Sequence, residues 1–195
     1  AANRDLHSGV YGGGVTNPAN ALAEIVASLR DCATGEIRVA GFFDDVRPLA
    51  DWERQEFAAL DFDENEVQTD LAVAALTGET GYNYVERTWG RPTCDVNGMW
   101  SGYQGKGAKT VLPAKAGCKV SFRLVADQKP AKIAELVQAH VAKVTPPGVT
   151  ARLPETAVRR FIASQAIMLA MIGVPGIYLP GLFGGRNDYD GMNRT

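Results

Sequence analysis

The 195-residue sequence is poor in the residues that build metal and redox centres. It holds two histidines, His7 and His140, and three widely spaced cysteines, Cys32, Cys94 and Cys118. A two-metal catalytic centre needs several histidine and carboxylate ligands around a bridging water, and this sequence does not supply the histidines. The cysteines form no Cys-x-x-Cys pair, so they predict reduced, buried thiols rather than a zinc site or a disulfide framework.

Large charge excess and long apolar runs are also missing. The formal net charge is −2, which argues against a nucleic-acid partner. The longest apolar stretch, 166–172, is too short to span a membrane, and no signal peptide is visible. Together with reduced thiols, this predicts a cytoplasmic protein. The sequence has no initiator methionine and begins inside a motif, so we expect a piece of a longer chain.

The stretch 4–14, RDLHSGVYGGG, sets His7 between an acid–base pair and four glycines. Glycine lets a ligand or another chain approach the backbone closely, so this histidine is a candidate functional group. A solvated histidine on a glycine-rich strand and turn remains an alternative. Asn17-Pro18 then predicts a helix start, followed by apolar residues at helical spacing. We therefore expect His7 on a strand whose far end is fixed by a helix.

The central part predicts an irregular insert, 44–90. A strand is expected at 37–42, and two short helices at 51–60 and 66–76. The acidic residues at 44–45 and 61–66 lack the partners of a metal or calcium site and predict a solvated surface. Beyond the insert, Asn97-Gly98 is typical of a turn.

Residues 117–125 alternate apolar and polar side chains and predict a strand. Arg123 then points away from the apolar face, where it is either an exposed sheet arginine or a ligand contact. The following helix, which opens at Pro130, carries His140 on its apolar stripe, and we expect that histidine to be packed. A last strand is possible at 149–153.

The order of motifs across residues 1–153 resembles one known domain. The runs RDLHSGVYGGGVTNPANALAEIVASL, GFFDDVRPL and KTVLP are similar to the lid, or dimerisation, domain of the carnosinase-like metallodipeptidases. Lys106 stands where that family usually has an acidic residue. The resemblance implies an α+β fold, a two-layer ferredoxin-like sandwich with helices on one face of an antiparallel sheet, which the predicted elements also favour.

The family resemblance also implies roles for individual residues. His7 would contact the scissile carbonyl or its oxyanion in the partner's active site, while Thr110 and Arg123 would hold the substrate. The two divalent metals of the family, zinc or manganese, would belong to a catalytic domain that this sequence lacks. We therefore expect a homodimer that binds no catalytic metal by itself, and that acts on a dipeptide only together with that domain.

The last residues, 154–195, have a different character. The run RRFIASQAIMLAMIGVPGIYLPGLFGGRNDYDGMNRT resembles a barrel fragment of sucrose-phosphorylase-type enzymes. It predicts a helix–strand appendage without activity, and a chimera whose junction lies near residues 152–155. Two alternatives to a dipeptidase lid stay open: a non-catalytic binding or scaffold module with the same sandwich, and a fragment of a carbohydrate-active phosphorylase.

Overall fold

The computed structural model describes residues 1–60 and 62–154. Five helices and four strands follow one another in this part of the chain, with one π-helical turn between α4 and β2. In chain order these elements are β1 (Leu6–His7), α1 (Ser8–Tyr11), α2 (Pro18–Ser28), α3 (Asp51–Ala59), α4 (Glu64–Asp70), the π-helical turn (Glu86–Gly90), β2 (Thr93–Ser101), β3 (Val111–Leu112), β4 (Ala116–Arg123) and α5 (Pro130–Val144).

Local signals in the sequence start the two long helices. The Asn17 side chain caps α2, because its Oδ1 accepts a hydrogen bond from the Ala19 N–H at 2.9 Å, and Pro18 occupies the first turn. Helix α5 likewise begins at Pro130. Both predicted starts are confirmed.

These two helices pack on one face of the β2–β4 pair. The strands run antiparallel, from Thr93 opposite Arg123 to Ser101 opposite Ala116. The buried core between the layers joins residues from both helices, from the strands and from the segment that follows α2: Leu29, Ile37, Val39, Phe42, Cys94, Ile133 and Val137. The predicted α+β architecture, helices on one face of an antiparallel sheet, is thus present. A second small sheet pairs β1 with β3.

The predicted turn at Asn97-Gly98 is wrong, because both residues lie inside β2. Val96 pairs with Val120 and Gly98 pairs with Lys119, which leaves Asn97 as an extra, unpaired residue. Such a bulge bends a strand and increases its twist without ending the strand. The Asn-Gly pair is used here for a bulge in place of a hairpin.

Three other boundaries differ from expectation. The strand expected at 37–42 reduces to a single bridge between Ile37 and Arg30, since the chain turns at Gly41 with φ near +77°. Helix α4 ends at Asp70 rather than 76, where Ala72 adopts a positive φ. No strand forms at 149–153, and the predicted helix–strand appendage lies in 155–195, outside the described residues.

The two ends of the sandwich meet. The Thr16 hydroxyl donates to the Pro147 carbonyl oxygen at 2.7 Å, across 131 positions of sequence. The Gly148 backbone lies so close that an added Cβ would come within 2.7 Å of Thr16 Oγ1. Within the described residues, no helix has both the length and the apolar composition needed to cross a bilayer.

Candidate functional site

A short two-stranded ribbon holds the candidate histidine. Strand β1 pairs with β3 so that His7 lies opposite Val111. The Ser8 N–H donates to the Thr110 carbonyl at 3.2 Å, and Asp5 Oδ1 accepts from the Ala114 N–H at 2.8 Å. These bonds bring residues more than a hundred positions apart in sequence into contact, so His7 and Thr110 become neighbours.

The imidazole of His7 is fixed at both nitrogens. Nδ1 accepts a hydrogen bond from the Gly9 N–H at 3.0 Å, and Nε2 lies 3.2 Å from Thr110 Oγ1. An added Cβ at Gly9 would lie 3.0 Å from His7 Cε1, so the glycine keeps this approach open. Because Nδ1 is an acceptor, the neutral ring carries its proton on Nε2.

Both candidate side chains, His7 and Thr110, are exposed. In the neutral ring, the Nε2–H of His7 donates towards the hydroxyl of Thr110, which leaves the hydroxyl hydrogen available to a further acceptor. The pair is therefore a preorganised donor group on the surface. Such a group suits an oxygen atom that gains negative charge during a reaction.

Arg123 lies elsewhere in the fold. It is the last residue of β4, exposed as the strand alternation predicts, and it lines a cavity of about 370 Å³. Strand β3 leads into the opposite end of β4, and the eight residues from Ala116 to Arg123, seven rises of about 3.3 Å, span about 23 Å. Neither His7 nor Thr110 lines the cavity. Within one chain, the structure thus joins His7 to Thr110 and places Arg123 apart.

One side of this cavity comes from the insert, which sequence reasoning did not assign to a site. Arg47 binds Glu53 through two hydrogen bonds, of 2.8 and 2.7 Å. The bonds from Arg47 and from the Ala50 N–H lower the pKa of Glu53 to about 2. The spacing of Arg47 and Glu53 gave no signal of this pair, because residues 48–50 between them are not helical.

Arg91, the residue directly after the insert, is a buried cation. Its guanidinium donates to both carboxylate oxygens of Glu79, at 2.7 and 2.5 Å, and lies over the ring of Tyr82, 4.4 Å from the centroid. Burial opposes the charged form, but the hydrogen bonds and charge of Glu79 outweigh it and raise the pKa of Arg91. This enclosed charged pair joins the two ends of the loop 77–91.

His140 is packed, as its place on the apolar stripe of α5 predicts. It is half-buried, and its Nε2 lies 2.9 Å from Ser28 Oγ on α2. Burial, and then the nearby charge of Lys143, lowers the pKa of His140. The residue joins two helices rather than facing a cavity.

The three thiols are free, but only partly buried. Cys32 is exposed, which contradicts the prediction of a buried thiol: it follows the end of α2 in a surface turn. Cys94 is buried, and burial together with the charge of Asp95 raises its pKa to about 12, while burial also raises the pKa of Cys118. Buried thiols with raised pKa values are unreactive at neutral pH.

The acidic residues have structural roles in the part of the chain that the structure describes. Asp45 binds Lys132 at 2.8 Å, and Asp63 caps α4 by accepting from the Asn65 N–H at 2.7 Å. Across residues 1–60 and 62–154, no three histidine, cysteine or carboxylate side chains are grouped as a metal site requires.

Comparison with known proteins decides the family. The family model described as the peptidase dimerisation domain of the M20 group matches residues 1–149. The chain belongs to this family. Its sandwich and ribbon are therefore those of an M20 dimerisation domain, and the resemblance found in the sequence motifs is confirmed.

Individual relatives agree with that assignment. The Cys-Gly metallodipeptidase DUG1 of Candida albicans is 33% identical over 137 residues, which cover 70% of this chain and 28% of that protein. The crystal structure of human carnosine dipeptidase 1 superimposes with a TM-score of 0.68 at 28% identity, covering 74% of this chain and 31% of that one. This M20 dimerisation domain thus spans less than a third of the length of these relatives.

A different protein matches a short piece of the chain. The glucosylglycerate phosphorylase of Spirochaeta thermophila is 48% identical over 40 residues, or 20% of this chain and 7% of that protein. A match this short does not assign the chain to the family of that phosphorylase. The predicted junction near residues 152–155 stays a prediction.

Proposed function

We propose that this M20 dimerisation domain is the substrate-clamping lid of a metal-dependent dipeptidase and acts in a homodimer. The two catalytic metals of such an enzyme, zinc or manganese, would be held by residues outside this lid. The observation that carries the proposal is the exposed His7–Thr110 pair, in which the Gly9 N–H orients the imidazole and strand pairing brings Thr110 beside it.

The chemistry of the pair fits the reaction. Attack of water on a peptide carbonyl places negative charge on its oxygen, and a preorganised donor that meets this oxygen lowers the barrier. When Thr110 turns its hydroxyl towards the substrate, the Nε2–H of His7 is released from Thr110 and can donate to the carbonyl oxygen. Neither residue has to accept a proton from the nucleophile, so the general base belongs to the catalytic domain.

The separation of Arg123 from the pair supports a role across the dimer. A guanidinium binds a carboxylate through two parallel hydrogen bonds, so Arg123 suits the free carboxylate of a dipeptide. In the homodimer we propose, His7 and Thr110 of one protomer approach the active site that contains Arg123 of the other. One subunit then clamps the substrate of its partner.

A hybrid enzyme tests the lid function. Residues 1–149 would replace the matching segment of the Candida metallodipeptidase, and the hybrid is expected to hydrolyse Cys-Gly. His7→Ala should lower kcat by about a hundredfold or more, because a transition-state donor is lost. Arg123→Ala should chiefly raise KM. The packed His140→Ala serves as control, and an inactive hybrid, or three variants that behave alike, would contradict the proposal.

Subunit mixing tests action across the dimer. Hybrid subunits with His7→Ala would be mixed with hybrid subunits that lack a metal ligand, each inactive alone. If the histidine acts in the partner's site, mixed dimers regain part of the activity. No recovery in dimers shown to exchange subunits would place His7 in its own subunit's site. The 195-residue chain alone should show no metal-dependent turnover with added zinc or manganese.

A further inference from the structure

The cavity beside Arg123 has features that a carboxylate clamp alone does not require. It lies where the insert meets the end of β4, with α3 and the π-helical turn on one side and residues 122–127 on the other. Its volume of about 370 Å³ is near the lower end of the range for small-molecule sites. That size suits a single amino-acid residue rather than a long peptide.

The charges in the cavity single out one arginine. Of the three arginines that line it, Arg47 is bound to Glu53 and Arg91 to Glu79. The hydrogen bond to Glu53, with a contribution from the more distant charge of Asp127, raises the pKa of Arg47. Arg123 lines the cavity and makes no hydrogen bond or ion pair with any residue in 1–60 or 62–154.

An aromatic wall completes the cavity. The rings of Phe57 and Trp89 meet edge to face, with centroids 6.1 Å apart and planes at 81°. Trp89 is nonetheless 67% exposed, a large apolar surface left open to water. Gly90 makes the wall possible, because an added Cβ would lie 2.7 Å from Leu49 Cδ2 and 3.5 Å from the Phe57 ring.

We infer that Phe57 and Trp89 determine the side-chain preference of the lid, by receiving an apolar or aromatic side chain from the residue whose carboxylate Arg123 holds. This inference rests on the proposed dipeptidase function and deepens it. A C-terminal phenylalanine or leucine covers the exposed indole and leaves its carboxylate for Arg123. Glycine leaves the wall uncovered, and a charged side chain would lose water against the apolar rings.

Binding to the 195-residue chain tests the cavity without any activity. The probes are N-acetylphenylalanine, N-acetylglycine, which lacks the ring, and N-acetylphenylalaninamide, which lacks the carboxylate. We expect N-acetylphenylalanine to shift the indole NMR signal of Trp89 at millimolar concentration, and the other two to shift it several times less. Equal shifts for N-acetylphenylalanine and N-acetylglycine, or no shift with any probe, would overturn the inference.

Kinetics in the hybrid enzyme test the preference itself. The ratio of kcat/KM for Ala-Phe to that for Ala-Gly should fall about tenfold in Trp89→Ala, the size expected when an apolar contact is lost. Trp89→Phe should keep most of the ratio. Trp52→Ala is the matched control, because Trp52 is 64% exposed on α3 but does not line the cavity.

The two experiments distinguish the inference about Phe57 and Trp89 from the dipeptidase function on which it rests. If the hybrid cleaves no dipeptide but N-acetylphenylalanine still shifts Trp89, the lid function fails and the cavity is a site of another kind. If the hybrid is active and Trp89→Ala leaves the substrate ratio unchanged, the lid function stands and the inference is wrong.

Discussion

The sandwich and the insert 44–90 are stabilised by different forces. The sandwich buries apolar side chains, with Phe42 and Ile133 each only 1% exposed. In the insert, the buried residues among those described are Val85 and Glu86. Charged side chains there are joined by hydrogen bonds, such as those from Arg47 to Glu53 and from Arg54 to Glu86. Water and acid compete with charged hydrogen bonds far more than with apolar burial. The comparison therefore separates a stable scaffold from an insert whose position depends on ionisation, with the cavity where the two meet.

The largest expected effect is on the scaffold. Phe42 packs against the rings of Phe43 and Phe122 in the core, and Phe42→Ala leaves a cavity there. We expect it to lower the free energy of unfolding by about 3–5 kcal/mol, measured by urea denaturation. Trp52→Ala, on the exposed face of α3, should change it by about 0.5 kcal/mol or less. Similar losses of unfolding free energy in both variants would show that apolar burial does not stabilise the sandwich more than the insert.

The next effect is on the insert. Glu79→Ala leaves the guanidinium of Arg91, whose side chain is 8% exposed, without its counter-ion. Removing one partner of a buried ion pair costs about 3 kcal/mol or more. Hydrogen exchange should rise in 77–91 before it rises in α2 or α5.

Asp45→Ala provides the matched control for that prediction. It breaks the more open pair with Lys132, whose two side chains are 40% and 34% exposed. We expect a loss of at most about 1 kcal/mol. If Glu79→Ala opens the helices of the sandwich as fast as the loop, the insert and the scaffold are one cooperative unit.

Acid should loosen the insert selectively. The pKa of Glu53 is about 2 in the folded chain, below its ordinary value of 4.5, because it accepts hydrogen bonds from Arg47 and the Ala50 N–H. Its contribution to stability is therefore complete above pH 4.5 and is lost as the pH falls through about 2. The amide NMR signals of α3 should report this loss, and Glu53→Gln should remove the pH dependence. An unchanged profile in Glu53→Gln would contradict this.

The smallest effect is a pH dependence within the sandwich. The lowered pKa of His140 means that the unfolded chain binds a proton more readily than the folded one. Stability is then unaffected above pH 6.5 and declines as the pH falls from 6.5 towards the lower folded-state value. Urea unfolding between pH 7.5 and 5 should show a slope that His140→Gln reduces. An equal slope in that variant would assign the dependence to other groups.

The sequence predicted the elements whose signals are local. Three elements form where such signals predict them: α2, α5 and β4. Their signals are capping by Asn17, apolar residues at helical spacing, and the alternation before Arg123, all of which depend on neighbours a few positions apart. The prediction of a strand at 37–42 failed because the chain turns at Gly41. The prediction of a turn at Asn97-Gly98 failed because strand pairing with β4 overrode the turn preference of Asn-Gly.

The candidate site was partly accessible from the sequence. The glycine-rich run singled out His7, and strand alternation turned Arg123 off the apolar face, while Thr110 and the specific roles came from the family resemblance. Spacing gave no indication that the Gly9 N–H fixes the ring of His7. The pairing of Arg91 with Glu79, which helps to shape the cavity, depends on a loop conformation that no local pattern encodes.

Helices α2 and α5 pack together although they are far apart in sequence, so α2 is synthesised well before its packing partner. Ser28 meets His140 across 112 positions, and Ile133 of α5 fills the centre of the core. At roughly 5–20 residues per second, a ribosome takes about 5–20 s to make the roughly 100 residues between α2 and α5. Throughout that interval the apolar face of α2 has no α5 to cover it. Until α5 emerges, the apolar residues that Ile133 and Val137 cover stay open to water, and a chain truncated before α5 lacks these two core residues.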